Sequence, residues 1–159
     1  MRRFTHLAAG LCLMLGLAGI ACDDNNGDRS TFAAPSLSGA NEVPPTGSTA
    51  VGSASFDVQG GTVTYTLELH GITNVTAAHI HLGAVAGNGP VAVNLFTGPT
   101  TGPVDGVLVQ STFSAADIQG GLSLESLLDQ MRNNITYVNV HTTAFPDGEI
   151  RGQIQAVNQ

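Results

Sequence analysis

Residues 62–70 alternate without a break: Val63, Tyr65, Leu67 and Leu69 take every second position, and Thr62, Thr64, Thr66, Glu68 and His70 fill the places between. In an extended chain a period of two sends the two sets to opposite faces, so this stretch is a strand with one side in a core and the other toward water. One such strand cannot bury its apolar face alone, and the rest of the chain supplies partners. Ahead of it, residues 50–58 set Val51, Phe56 and Val58 among small residues, with Gly60-Gly61 as a tight hairpin between the two runs. After it, Val75 to Leu82 and Val91 to Phe96 flank the glycine-rich stretch Gly83 to Pro90, and Val107 to Phe113 forms a further run. Ile135 to Thr142 and Glu149 to Val157 lie on either side of the turn Pro146-Asp147-Gly148. A single helix is expected where Leu124, Leu127, Leu128 and Met131 recur at helical spacing, with Ser123 as N-cap and Asn133-Asn134 as terminator. Strands about ten residues apart, joined by turns, predict a mostly β fold: an immunoglobulin-like or Greek-key β-sandwich or barrel with one short helix.

The N-terminus has a different character. Arg2 and Arg3 precede an apolar run from Leu7 to Leu17, and the small residues Ala18, Gly19 and Ala21 stand before Cys22. This order reads as a signal peptide over residues 1–21, too short to span a bilayer comfortably. A cysteine directly after Ala21 resembles a bacterial lipobox, in which the thiol is acylated and holds the protein at a membrane, although Gly19 stands where that pattern usually carries leucine. Residues 22–31 then read as the lipidated Cys22 and a flexible tether, since Asp23 to Thr31 has no apolar side chain to bury, and the folded domain is expected over 32–159. The expected location is the bacterial cell envelope, with the exported protein anchored to a membrane through Cys22. Cys12 leaves with the signal, so no disulfide forms within the mature chain.

The formal net charge of the whole chain is −7, and loss of the signal removes Arg2 and Arg3 while all twelve acids stay. Arg29, Arg132 and Arg151 are the basic residues that remain, and there is no lysine. No basic groove can be drawn from them, which excludes nucleic acid as a partner and argues against binding through phosphate. Nucleophilic hydrolysis has no support either: no Gly-x-Ser-x-Gly is present, and Gly83 to Gly89 lacks the lysine of a phosphate loop.

Chemistry is concentrated in histidines. Alternation puts His79 and His81 on one face of their strand, with Cα atoms about 6.6 Å apart, and Ala78, Ile80 and Leu82 on the other. Two imidazoles at that separation suit zinc or copper but need a third donor. The best source is His141, which shares a face with Asn139 while Val138 and Val140 point the other way. Two readings stand: an open site with three imidazole ligands, or half-buried imidazoles that hydrogen-bond to carbonyls and threonines and serve strand packing. Glu42, in Asn-Glu-Val-Pro-Pro, either orients a histidine or faces solvent. Glu149 and Arg151 share a face of the last strand and form either a surface ion pair or a supporting carboxylate and an anion-guiding guanidinium near the histidines. His70, beside Gly71, is expected to be exposed and without function.

Four blocks in order resemble the chordin-type (CHRD) domain, in a bacterial lipoprotein form. They are Leu37-Ser-Gly-Ala-Asn-Glu-Val-Pro-Pro45, Gly61-Thr-Val-Thr-Tyr-Thr-Leu67, Val75-Thr-Ala-Ala-His-Ile-His-Leu82 with Asn88-Gly-Pro90, and Tyr137-Val-Asn-Val-His-Thr142 followed by Gly148-Glu-Ile-Arg-Gly-Gln153. The resemblance implies an immunoglobulin-like β-barrel and an exported location without naming a reaction. That barrel is distantly similar to the copper/zinc superoxide dismutases, whose histidine motifs look like Ala78-His-Ile-His81 and Asn139-Val-His141. This second likeness implies His79, His81 and His141 as three copper ligands and Arg151 as an arginine that draws an anion toward them. No histidine-rich loop follows His81, so neither a bridging histidine nor a zinc cluster is implied.

The leading functional expectation is a non-catalytic binding module of the cell envelope. It would take an extracellular protein, a matrix ligand or a metal ion, copper or zinc, through the face of His79, His81 and His141. An enzyme reading, a copper-dependent superoxide dismutase-like protein using the same histidines, stands second. A purely structural surface or adhesion domain stands third. No residue is assigned a catalytic role.

Overall fold

The computed structural model describes residues 29–157; the expected signal peptide, the lipidation expected at Cys22 and the expected tether through Asp28 lie outside the described residues. Among the described residues nine strands are present: β1 (Ser30–Ser38), β2 (Val51–Gln59), β3 (Thr62–Thr73), β4 (Val75–Leu82), β5 (Val91–Thr97), β6 (Pro103–Ser114), β7 (Thr136–Thr142), β8 (Ile150–Gln153) and β9 (Gln155–Ala156). An α-helix, α1 (Leu124–Arg132), lies between β6 and β7. The strands run β5-β4-β7-β8-β1-β2-β3-β6 in one antiparallel sheet, and β9 adds to β1. Val93 of β5 bridges Ile118, just beyond β6, so the two ends of the sheet curl toward each other and nearly close a barrel. This is the mostly β architecture with one helix that the residue patterning predicts.

The alternating strand behaves as its pattern requires. Val63, Tyr65, Leu67 and Leu69 of β3 are all buried, beside Phe56 and Val58 of β2 and Phe32 and Leu37 of β1. Gly60 and Gly61 both have positive φ (57° and 83°), the backbone that a two-residue hairpin demands and that glycine adopts without strain. In α1 the Ser123 hydroxyl accepts from the Ser126 amide at 3.1 Å, while Leu127, Leu128 and Met131 turn inward.

The pattern did not foretell three details. Ser30 and Thr31, expected at the end of the tether, already pair with Val58 and Asp57 in β1. That strand carries Pro35 and a bulge between Ala34 and Leu37, because a residue without an N–H cannot continue the ladder, and so it shows no clean alternation. β6 starts at Pro103 rather than Val107, and the last run breaks into β8 and β9 around buried Ile154, whose amide donates to Thr136.

What matters most for function is β7. Thr136 to Val140 are buried on both sides: Val138 and Val140 belong to the barrel interior, whereas Tyr137 and Asn139 are covered from outside by loops. A sheet face that would ordinarily meet water is therefore roofed at this one place.

Candidate metal centre

β4 lies directly against β7, in regular antiparallel register from Ala77↔His141 through His79↔Asn139 to His81↔Tyr137. The core residues Ala78 and Ile80 fix which way β4 faces, and the two histidines between them take the outer side. His141 sits diagonally across from His79, a placement from which long side chains meet. The three rings converge, with centroids 4.9 Å apart for His79 and His141, 5.6 Å for His79 and His81, and 6.1 Å for His81 and His141. One nitrogen from each ring falls within 4.8 Å of the others. On the far side of β4, register shifts against β5 flank the His79 and His81 pairings, the kind of local distortion that re-aims side chains.

Two of the rings have their tautomers set by carbonyls, which only accept. His81 Nδ1–H donates to the Gly89 carbonyl at 2.9 Å, and His141 Nδ1–H donates to the Pro146 carbonyl at 3.0 Å. Both Nε2 atoms are thereby left as lone pairs, the form in which imidazole ligates a metal. His141 Nε2 lies 3.1 Å from His79 Nδ1. This is close to the separation of roughly 3.3 Å that two donors about 2.0–2.1 Å from a tetrahedral ion would have. Without an ion, that pair is satisfied by the proton of His79 Nδ1. His81 Nε2 differs, being buried with no hydrogen-bond partner among the described residues. An unpaired buried acceptor costs about 1–3 kcal/mol, so a network built only for packing would not leave it so.

Burial also keeps the cluster neutral. His79 is pushed down to about 4, chiefly by desolvation and then by the neighbouring His141 and His81. Burial lowers His81 and His141 too, against the opposing effect of the carbonyls they bond. For His79 the unfolded chain binds more protons than the folded one between about 4 and 6.5, so stability present above 6.5 is lost as pH falls through that window. The difference in unfolding free energy between the metal-free protein and its His79→Asn variant is therefore expected to shrink or reverse as pH falls from 7 to 4. Urea titrations at several pH values read this directly, and a pH-independent difference would contradict the burial of His79.

Glu42, Glu149 and Arg151 occupy places that differ from expectation. Glu42 has no hydrogen bond to a histidine among the described residues and does not face solvent: it is 7% exposed and accepts a 2.5 Å hydrogen bond from Asn139 Nδ2. Desolvation raises its pKa, opposed by the Arg151 charge and by that hydrogen bond. Of the two readings for Glu149 and Arg151, the surface ion pair is not formed among the described residues, because both side chains are buried and have other partners. Glu149 accepts from Ser48 Oγ at 2.7 Å and Thr142 Oγ1 at 2.6 Å, tying the segment after the prolines to the end of β7. Arg151 donates to Asn88 Oδ1 at 2.9 Å and to the Val85 carbonyl at 2.7 Å. His70 is on β3, exposed and bonded to Asp105 and Glu68, which raise its pKa.

Residue patterning gave Tyr137, Asn88, Asn139 and Gly89 no role. Tyr137 stacks on His81 with 8° between the ring planes, and its hydroxyl accepts from the Gly89 amide at 3.3 Å. Asn88 Nδ2 donates to the Val43 carbonyl at 2.8 Å, joining the glycine-rich loop to the Glu42 segment. Asn139 alternating with Val138 and Val140 was the one available signal, since it places an amide on the histidine face.

The family model described as the CHRD domain matches residues 33–154. No curated protein and no solved structure matches the chain.

Proposed function

Because the chain belongs to the CHRD domain family, whose name specifies no reaction, we propose its role from the site itself: a module that binds one zinc or copper ion through His79, His81 and His141. The buried, unpartnered Nε2 of His81, aimed among two other imidazoles, is the observation that carries this reading. Three neutral nitrogen ligands suit either metal and leave a coordination position for water or a ligand. The test is calorimetric titration of the metal-stripped protein with Zn²⁺ and with Cu²⁺. One ion per chain is expected, removable by a chelator; no saturable binding of either ion up to millimolar concentration would overturn the proposal.

The module is further proposed to be held at a membrane of the cell envelope by acyl chains on Cys22. The support is the residue order from Arg2 to Cys22 and the polar stretch that follows. β1 begins at Ser30, paired with Val58, and ends at Ser38, paired with Arg151, so its two ends lie about 26 Å apart at the usual rise per residue. Arg151 is opposite Asn139, which is opposite His79. The expected tether therefore enters at the end of β1 remote from the histidines, which leaves the site clear of the attachment point.

A further inference from the structure

A buried arginine needs a reason. Taking a guanidinium out of water is expensive unless its donors are used, and Arg151 is only 2% exposed. Besides the charge of Glu42 nearby, its side-chain hydrogen bonds lead to one place. Nη1 donates to Asn88 Oδ1 at 2.9 Å, and Nη2 donates to the Val85 carbonyl at 2.7 Å and more weakly to that of Ala84 at 3.5 Å. These bonds hold the loop whose next residue, Gly89, offers the carbonyl that takes the proton of His81 Nδ1. The guanidinium carbon also lies 4.1 Å from the centroid of the Tyr137 ring, and that ring stacks on His81 with centroids 5.0 Å apart. One side chain therefore reaches His81 by two routes, through the loop carbonyl and through the tyrosine.

We propose that Arg151 is a positioning residue for the metal site, fixing the ring orientation of His81 so that Nδ1 carries the proton and Nε2 is the ligand atom. Its guanidinium is committed to the loop and to Tyr137, a different job from guiding an anion. Turning the His81 ring over would put a carbon where Nδ1 now meets the Gly89 carbonyl and break that bond. Planarity matters here, since a fork that bonds two acceptors while stacking on an aromatic face is available to arginine and not to lysine. The part of the inference that concerns affinity rests on the metal-binding reading above, whereas the part that concerns the tautomer does not.

The experiment is long-range ¹H–¹⁵N correlation of the imidazole nitrogens in the metal-free protein, paired with Zn²⁺ titration. Wild type is expected to show His81 protonated at Nδ1 and bare at Nε2. In Arg151→Met, which keeps the length without the charge, His81 is expected to show the other tautomer or an average of both. Zn²⁺ affinity is expected to fall about 10–100-fold, the usual effect of removing a group that orients a ligand. Arg151→Lys should not restore either property, and Leu67→Ala, a core truncation away from the site, should leave the tautomer unchanged. A folded Arg151→Met protein with the wild-type tautomer and affinity within about threefold of wild type would overturn the proposal. Should Arg151→Met fail to fold, Arg151→Lys decides, because it keeps the charge without the planar fork: a shifted tautomer supports the proposal and the wild-type tautomer overturns it. A tautomer that depends on Arg151 in a protein that binds neither zinc nor copper would uphold the positioning role and overturn only the metal-binding reading.

Discussion

Replacing His81 by phenylalanine is expected to lower Zn²⁺ or Cu²⁺ affinity by more than about 100-fold, beyond what loss of a mere supporting group costs. The melting temperature of the metal-free protein should stay within about 4 °C of wild type, the shift that roughly 1 kcal/mol produces in a domain of this size. Two opposing effects of similar size lie behind the second half. Phenylalanine removes the buried orphan Nε2, which is stabilising, and deprives the Gly89 carbonyl of its donor, which is not. It also keeps a ring to stack on Tyr137. Saturating metal at about 100 times its dissociation constant adds about 2.7 kcal/mol to wild type, a gain the variant should lack. Metal titration and thermal melts with and without the ion measure both halves. A large loss of metal-free stability with undiminished binding would instead mark His81 as part of the scaffold.

The second large effect is expected at Gly89. A Cβ built on this residue collides with the carbonyl of Leu82, a backbone atom that cannot swing aside. The same stretch is held by the Leu82 amide donating to the Pro90 carbonyl at 3.0 Å, so relief requires the loop to leave β4. Gly89→Ala is accordingly expected to cost about 3–4 kcal/mol or more, at the upper end for one substitution, and to abolish metal binding by withdrawing the carbonyl that orients His81. Gly87, two residues earlier, makes the matched control, because a Cβ there meets only the Ala84 carbonyl at 3.8 Å. Gly87→Ala should change stability by no more than about 1 kcal/mol, in the favourable direction if its backbone suits alanine. Equal urea midpoints for the two variants would contradict this account of the loop.

Much of the scaffold is legible in the residues because local alternation and turn chemistry act over a few positions. Val63 to Leu69 declare a buried face, and Gly60-Gly61 declare a hairpin, whatever surrounds them. β1 escapes notice since Pro35 and small residues blur its period. The buried roles of Glu42, Glu149 and Arg151 escape for another reason. Each is ionisable, a residue type that sits mostly at surfaces, and each is buried through partners far away in the chain: Asn139 for Glu42, Ser48 for Glu149 and Asn88 for Arg151.

The same division runs through the histidines. Alternation alone sends His79 and His81 to one side of β4 and His141 to the polar side of β7, because side-chain direction follows from the pleat. That His141 meets them across 62 residues of chain depends on β4 and β7 being neighbours in one particular register, which the fit of Ala78, Ile80, Val138 and Val140 into a shared core selects. Which nitrogen of each ring is left free is more remote still. It is decided by the carbonyls of Gly89 and Pro146, held in place by Arg151, Asn88 and the turn after β7, and hydrogen bonds between such distant partners exist only once the barrel has closed.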